Sequence, residues 1–476
     1  MKRRMIYKWC ALICFSASMS GCITPQKSVM TENRSVPLSY STSIDSTNIV
    51  KLNWKRYFND ENLIALIDTA VKKNQELNIT LQEIEINRNE IRSRKGEYLP
   101  FVGVRAGAGV EKEGRFTRFG AVDENLDIEP GTAFPQPFTD YMAGLYASWE
   151  VDIWKKLRNA KKAALMRYLG SVEGKNFLVT NLISEIANSY YELMALDNLL
   201  DIIEKNVAIQ TNGLHVVKQQ KQAAKVTQLA VNRFEAQLLN TKNLQFEIRQ
   251  KIIEAENRIH FLIGGFPKTI PRSSVTFNDI VIDSISAGIP SQLLRNRPDI
   301  RQAELNLAAA KLDVKVARAN FYPSLRIEAG TGFQAFNPAH LIKPESILFN
   351  LAGDLMAPLV NRNAITAMYR SANARQIQEV YSYERTILHG YLEVVNQLSQ
   401  VDNFTKSYQT KSAEVDLLTN SITISNSLFS SARADYLEVL LTQREALESK
   451  MDLIEIKLKQ MNAKVNIYRS LGGGWN

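Results

Sequence analysis

The sequence predicts an α+β membrane protein: four strands per chain contribute to a β-barrel shared between protomers, and the helices are far longer than a globular core needs. It does so through three features. A helix–breaker–strand unit occurs twice at one offset, Glu97–Gly109 matching Asn320–Gly332, with Pro100 on Pro323, Ala106 on Ala329, Gly107 on Gly330 and Gly109 on Gly332. Four alternating segments of about 11–13 residues have the length a tilted strand needs to cross a bilayer. Between them, Lys155–Val217 contains no proline, with Gly170 and Gly174 as weak points; one continuous helix of that length runs on the order of 90 Å. Strand edges cannot stay unpaired in lipid and four strands cannot close a barrel, so several protomers must share one; three would give twelve strands.

The amino terminus reads as a leader spanning residues 1–21. MKRRMIYKW is basic, Cys10–Met19 is apolar but too short to span a bilayer, and Ser20-Gly21-Cys22 is a small-residue junction. That junction resembles a bacterial lipobox, with Met19 where Leu is commoner, and makes Cys22 the lipidation site. Cys10, Cys14 and Cys22 are the chain's three cysteines, so a mature chain starting at Cys22 has no internal disulfide. The formal charge of +9 includes Lys2, Arg3, Arg4 and Lys8 of the leader. The remaining bases are interspersed with acids, as in KLDVKVAR, a pattern of solvated helix faces that argues against nucleic acid as partner.

Residues 22–61 form an extended tether, Ser-, Thr- and Pro-rich in its first part. The first repeat, 62–265, opens with one helix from Leu63 to near Gly96, with Asn74 and Arg88 in the polar gaps of its apolar seam. A strand at about 101–111, a long loop at Glu111–Asp140, and a strand at about 141–153 follow. In the second strand Tyr141, Ala143, Leu145, Ala147, Trp149 and Val151 share one face; Gly144, Tyr146, Ser148, Glu150 and Asp152 share the other. A helix returns from about Val226 to Ile263 and stops at Gly264-Gly265. A connector covers 266–297.

The second repeat, 298–470, starts with Pro298 and Asp299, which suit the first turn of a helix. Pro323 ends that helix, and Leu325, Ile327, Ala329, Thr331 and Phe333 then alternate with Arg326, Glu328, Gly330 and Gln334. Strands at about 324–336 and 346–358 precede helices at about Ala364–Ser425 and Ala434–Arg469, the last with a near-heptad apolar seam. Residues 471–476 read as a flexible tail.

The Gly-rich, polar second face of the strands suits a wet interior, and the seams suit helices packed side by side. Segments spread over nearly the whole mature chain then resemble one family: GLYASWEVDIWKKLRNA (Gly144–Ala160), LLRNRPDIRQAE (Leu293–Glu304), VARANFYPSL (Val316–Leu325), ADYLEVLLTQREAL (Ala434–Leu447) and LGGGW (Leu471–Trp475). The chain resembles the TolC-type outer-membrane efflux proteins, in particular the lipid-anchored factors of drug-efflux pumps.

The resemblance implies a homotrimer with a 12-stranded outer-membrane β-barrel continuous with a long periplasmic α-helical barrel, plus a mixed equatorial layer. It implies a passive duct for small molecules such as drugs, working with a periplasmic adaptor (membrane-fusion) protein and an inner-membrane efflux transporter, and seated in outer-membrane lipid. It places Glu438 where related channels ring their constricted end, with Arg433 and Asp435 beside it as gate candidates. Ala224 and Ala432 stand where the family usually has Gly at the helix turns that contact the adaptor, and Leu441 replaces an acid common one turn after Glu438.

Other residues carry less. Trp149 and Tyr141 fit either an interface girdle or plain barrel exterior, and Arg297–Arg301 reads as a helix start with a structural ion pair. His215, His260, His340 and His389 lack metal-ligand spacing, and no nucleophile–base pair stands out, so neither metal, cofactor nor enzymatic activity is expected. A channel for peptide or protein secretion, and a periplasmic coiled-coil scaffold lipoprotein, are the alternative functions; the scaffold would need heptads but no membrane-length strands.

Overall fold

The computed structural model describes residues 30–40, 49–280, 286–431 and 433–475. The leader with Cys22, and Ala432 at the second helix turn, lie outside the described residues. The chain divides into two compact units: Glu85–Leu169 with Leu305–Val380, and Glu32–Ile84 with Gly170–Glu304 and the chain from Tyr381 onward.

The first unit holds a four-stranded antiparallel sheet of β1 (Phe101–Glu111), β4 (Phe138–Val151), β5 (Ser324–Ala335) and β6 (Ile347–Met356), in the order β1-β4-β5-β6. Two hairpins, one per repeat, are joined along β4 and β5. At this joint Gly144 faces Gly332, and a Cβ on Gly332 would lie 2.5 Å from the Gly144 Cα. Small residues here let the two halves of the duplicated chain meet.

The Glu111–Asp140 stretch is not a structureless loop. It contains a helix at Arg118–Asn125, capped by the Thr117 hydroxyl accepting from the Gly120 N–H at 3.1 Å. A ribbon of β2 (Asp127–Glu129) and β3 (Thr132–Ala133) follows. Thr three residues ahead of Gly120, and Pro130-Gly131 with Gly131 at φ +79°, are the local causes.

The second unit is built on long helices. In chain order the main ones are α1 (Glu61–Lys73), α2 (Gln75–Glu97), α3 (Lys156–Gln222), α4 (Gln228–Leu262), α5 (Pro298–Ala319), α6 (Asn363–Ser430) and α7 (Tyr436–Ser470); α2, α3, α5 and α6 belong partly to each unit. The core packs Leu63, Ile67 and Ala70 of α1 against Ile183, Ile186 and Tyr190 of α3 and Met461, Val465 and Tyr468 of α7. Tyr468 stacks on Tyr57 at 4.3 Å. Full burial of each large apolar side chain contributes about 1.5–3 kcal/mol, which repeated along the seams holds the helices together.

Two expectations need correction. The helix expected to run from Leu63 to Gly96 is broken at Asn74, which leaves the helical region at ψ 126°. Its amide donates to the Leu262 carbonyl at 2.9 Å, while its side-chain oxygen accepts from the Leu77 N–H at 2.9 Å and so caps α2. An Asn read as a polar gap is therefore a break that also ties down the end of α4. The carboxyl-terminal tail is also not a loose end. Leu471 is buried, Gly472 at φ +92° has room for no side chain against the Asn296 carbonyl, and the Trp475 indole N–H donates to the Gly472 carbonyl at 3.0 Å.

Candidate functional site

Register assigns every strand residue to one of two faces, because directly paired residues share a face. One face reads Val102, Val104, Ala106, Ala108 and Val110 on β1, and Tyr141, Ala143, Leu145, Ala147, Trp149 and Val151 on β4. It continues with Leu325, Ile327, Ala329, Thr331 and Phe333 on β5, and Ile347, Phe349, Leu351 and Leu355 on β6. It carries no charge, yet Val104 is 78% exposed and Phe349 83%. A protein facing only water would not present so large an uncharged surface.

Tyr141 and Trp149 lie toward opposite ends of this face. They are separated by about 26 Å of strand at ~3.3 Å per residue, or about 20 Å after a ~40° tilt, within the ~25 Å band of an outer-membrane barrel. The structure thus favours the interface-girdle reading of this pair. The Trp149 indole N–H donates to the Tyr98 carbonyl at 3.1 Å, which fixes its end of the band.

The opposite face carries all the charges of the sheet: Arg105, Glu111, Asp140, Glu150, Arg326, Glu328 and Asp354, with Gly103, Gly107, Gly109, Gly144, Gly330 and Gly332 between them. Glu150 pairs with Lys156 at 2.5 Å, and the Gln334 amide donates to Asp140 at 2.9 Å. Arg105 and Asp354 escaped notice in the sequence, although the alternation of Val102 with Gly103 already placed Arg105 on this side. Among the described residues, neither β1 nor β6 has a sheet partner along its outer edge.

The remaining site residues lie at one end of the second unit. The α3–α4 turn carries Ala224 in the left-handed region at φ +57°. The α6–α7 turn carries Arg433, exposed, whose backbone N–H donates to the Leu428 carbonyl at 2.8 Å. Asp435 stands at the N-cap of α7 without a side-chain capping bond, and Glu438 is exposed in the first turn. Phe429, Tyr436 and Leu440 pack against Val217, Val231 and Phe234, so the two turns are brought together.

An uncharged sheet face of membrane height, a charged and glycine-rich reverse face, and paired long helical hairpins are the features of one family. The model of the outer membrane efflux protein family matches residues 66–265 and 289–473. The chain is a member of the outer membrane efflux protein family.

This outer membrane efflux protein is 26% identical over 423 residues to the solvent efflux pump outer membrane protein SrpC of Pseudomonas putida, covering 89% of this chain and 87% of the relative. It is 24% identical to the cation efflux system protein CusC of Escherichia coli, covering 97% and 98%. The fold is similar to that of the Neisseria gonorrhoeae MtrE outer membrane channel, with a TM-score of 0.82 at 21% identity, covering 95% of this chain and 98% of that one. It is thus an outer-membrane component of an efflux system.

Proposed function

We propose that three copies of this chain close one twelve-stranded barrel and form a passive duct that exports small molecules. In this reading Cys22 anchors the chain to the membrane, the helix turns with Ala224 and Ala432 meet a periplasmic adaptor, and an inner-membrane transporter supplies the energy. The observation that carries it is the uncharged sheet face ending in two open edges. Such a sheet is stable in lipid only if β6 of one copy pairs with β1 of the next. A coiled-coil scaffold has no use for this face, and a protein-secretion channel would need a different transporter behind the same wall.

The duplication supplies the register of that joint. Since β5 stands in the second repeat where β1 stands in the first, the β4–β5 pairing maps onto β6 and a neighbouring β1, placing Ala352 opposite Gly109 and Asp354 opposite Gly107. Both pairs keep the charged face on one side and the uncharged face on the other. Opposed cysteines in strands have Cβ atoms about 5 Å apart, and diagonal ones about 7–8 Å. A chain carrying both Ala352→Cys and Gly109→Cys should form disulfide-linked trimers on oxidation, and one carrying Ala352→Cys and Glu111→Cys should not. Linked trimers only in the second variant would refute the register; none in either would refute the shared barrel.

The gate residues are tested by conductance. Glu438→Ala should remove a cation preference from single-channel currents, while Arg433→Ala should strengthen it. Currents unchanged by Glu438→Ala would leave the duct and remove the gate from this position.

A further inference from the structure

The positive charge of the chain is concentrated where the sheet passes into helices. The helical and linking segments of the first unit, residues 85–97, 152–169, 305–323 and 357–380, hold sixteen Lys and Arg against six Asp and Glu. That excess is larger than the formal charge of the whole chain, +9. At the other end of the sheet the segment 112–137 has three bases against five acids. The bases are therefore not the evenly solvated helix faces that the sequence pattern suggests.

The start of α3 is the densest part, with Lys155, Lys156, Arg158, Lys161 and Lys162 and no acid in its first turn. Cations at a helix amino terminus oppose the macrodipole. Asp152 offsets this by accepting from the Leu157 and Arg158 N–H groups at 3.1 and 2.9 Å. A sequence that works against its own helix at this point is expected to serve something else there.

Geometry shows which way the cations turn. Lys156 pairs with Glu150 and so belongs to the charged face. Arg158 and Lys161 instead flank the Tyr98 ring at 6.0 and 5.6 Å, and the Tyr98 carbonyl holds the indole of Trp149 on the uncharged face. Arg158 and Lys162 are exposed. They lie within about 10–15 Å of the strand end at 1.5 Å rise per residue, and long side chains bring such heads into a headgroup layer ~5–8 Å deep.

We propose that Arg158, Lys161 and Lys162 form a docking surface for the anionic headgroups of phospholipids in the leaflet on the helical side of the barrel. The proposal rests on the membrane-spanning reading of the sheet. Charge complementarity and continuity with the uncharged face favour lipid over an acidic protein, which would not need cations beside Trp149.

The test uses the full protein in phosphatidylcholine vesicles containing a trace of spin-labelled phosphatidylglycerol or spin-labelled phosphatidylcholine. The motionally restricted fraction gives the relative affinity. Wild type should restrain phosphatidylglycerol several-fold more than phosphatidylcholine, with the preference falling as salt is raised. The combined Arg158→Gln, Lys161→Gln and Lys162→Gln variant should lose most of it. A control with Lys218→Gln, Lys221→Gln and Lys225→Gln, near the α3–α4 turn, should keep it.

A restricted component with no preference in wild type, or a preference unchanged in the first variant, would overturn the lipid surface while leaving the barrel intact. The second of these results would direct the cations to a protein partner. No restricted component with either label would instead overturn the membrane-spanning reading and this surface with it.

Discussion

Arginine substitution at adjacent positions of β4 tests the assignment of the two sheet faces. Ala143 and Met142 lie near the middle of the strand at almost equal depth. Ala143 sits on the uncharged face opposite Ala106 and Phe333; Met142 sits on the charged face opposite Gly107 and Gln334. A side chain at Gly107 would meet nothing within 4 Å, so the surroundings of Met142 have room for a longer residue. An arginine held against lipid near the bilayer midplane costs about 2–4 kcal/mol, whereas lumen positions tolerate charge. Ala143→Arg should thus lower the folding equilibrium by about 30- to 1,000-fold per chain, at ~1.4 kcal/mol per decade, and three chains multiply the effect. Met142→Arg should stay within about tenfold of wild type. Denaturant titration from lipid vesicles measures both, with the heat-modifiable oligomer band as a second readout. Equal losses in the two variants, or a larger loss for Met142→Arg, would refute the face assignment.

Three further outcomes follow from the helical unit. Arg297 is 4% exposed, pairs with Asp299 and Glu393 at 2.7 Å each and donates to the Ser470 carbonyl at 2.8 Å. Arg297→Ala should destabilise by about 3 kcal/mol, the low end for a broken buried pair because Arg469 still reaches Glu393; Trp475 fluorescence should show an earlier melt. Ala224→Gly should stabilise the α3–α4 turn by about 0.5–1 kcal/mol, the relief at φ +57° exceeding the entropy of the unfolded glycine; slower amide exchange at Ala223–Lys225 would report it. Lys457 is 4% exposed and donates to the Ile280 carbonyl at 2.6 Å; burial, then Lys464, lowers its pKa, against a smaller opposing effect of Asp279. The unfolded chain then binds the extra proton, so its contribution to stability should rise from the lowered pKa up to about 10.4, the value for a free lysine. Thermal melts from pH 7 to 10 should show a steeper rise for wild type than for Lys457→Met, and parallel curves would refute this.

The parts legible in the sequence are those set by short-range pattern. Alternation at Leu325–Phe333 and breakers at Pro100 and Pro323 suffice to place strand starts, because a pleat has period two and proline stops a helix wherever it stands. What escaped depends on partners distant in sequence. Asn74 looks like any polar gap until Leu262 arrives to accept its amide. Gly472–Gly474 looks like a loose end because glycine is ambiguous alone; packed on Asn296 and Tyr468 it is the residue that lets the backbone fit. The candidate site divides in the same way. Tyr141 and Trp149 could be placed on one face from spacing, but Arg105 and Asp354 gain meaning only once register sets them on a common face. The excess of bases in the helical part of the first unit is spread over four separate segments and emerges only once they are gathered in one unit.

The two units also differ in what completes them. Leu63, Ile186, Tyr190, Met461 and Tyr468 are buried within a single chain, so that core is complete without a partner's residues. The sheet cannot reach a comparable state alone, since its uncharged face needs lipid and the outer edges of β1 and β6 need backbone partners. In lipid each unsatisfied N–H or C=O costs several kcal/mol, and alternate residues along both edges point such groups outward. Insertion of one chain would therefore leave a penalty far above the usual stability of a domain, about 5–15 kcal/mol. Lipid without neighbours and neighbours without lipid each meet only half of the sheet's requirement. With β6 of one copy paired to β1 of the next as proposed, membrane insertion and subunit pairing are coupled, and the duplicated β4–β5 joint is the pattern each β6–β1 joint repeats.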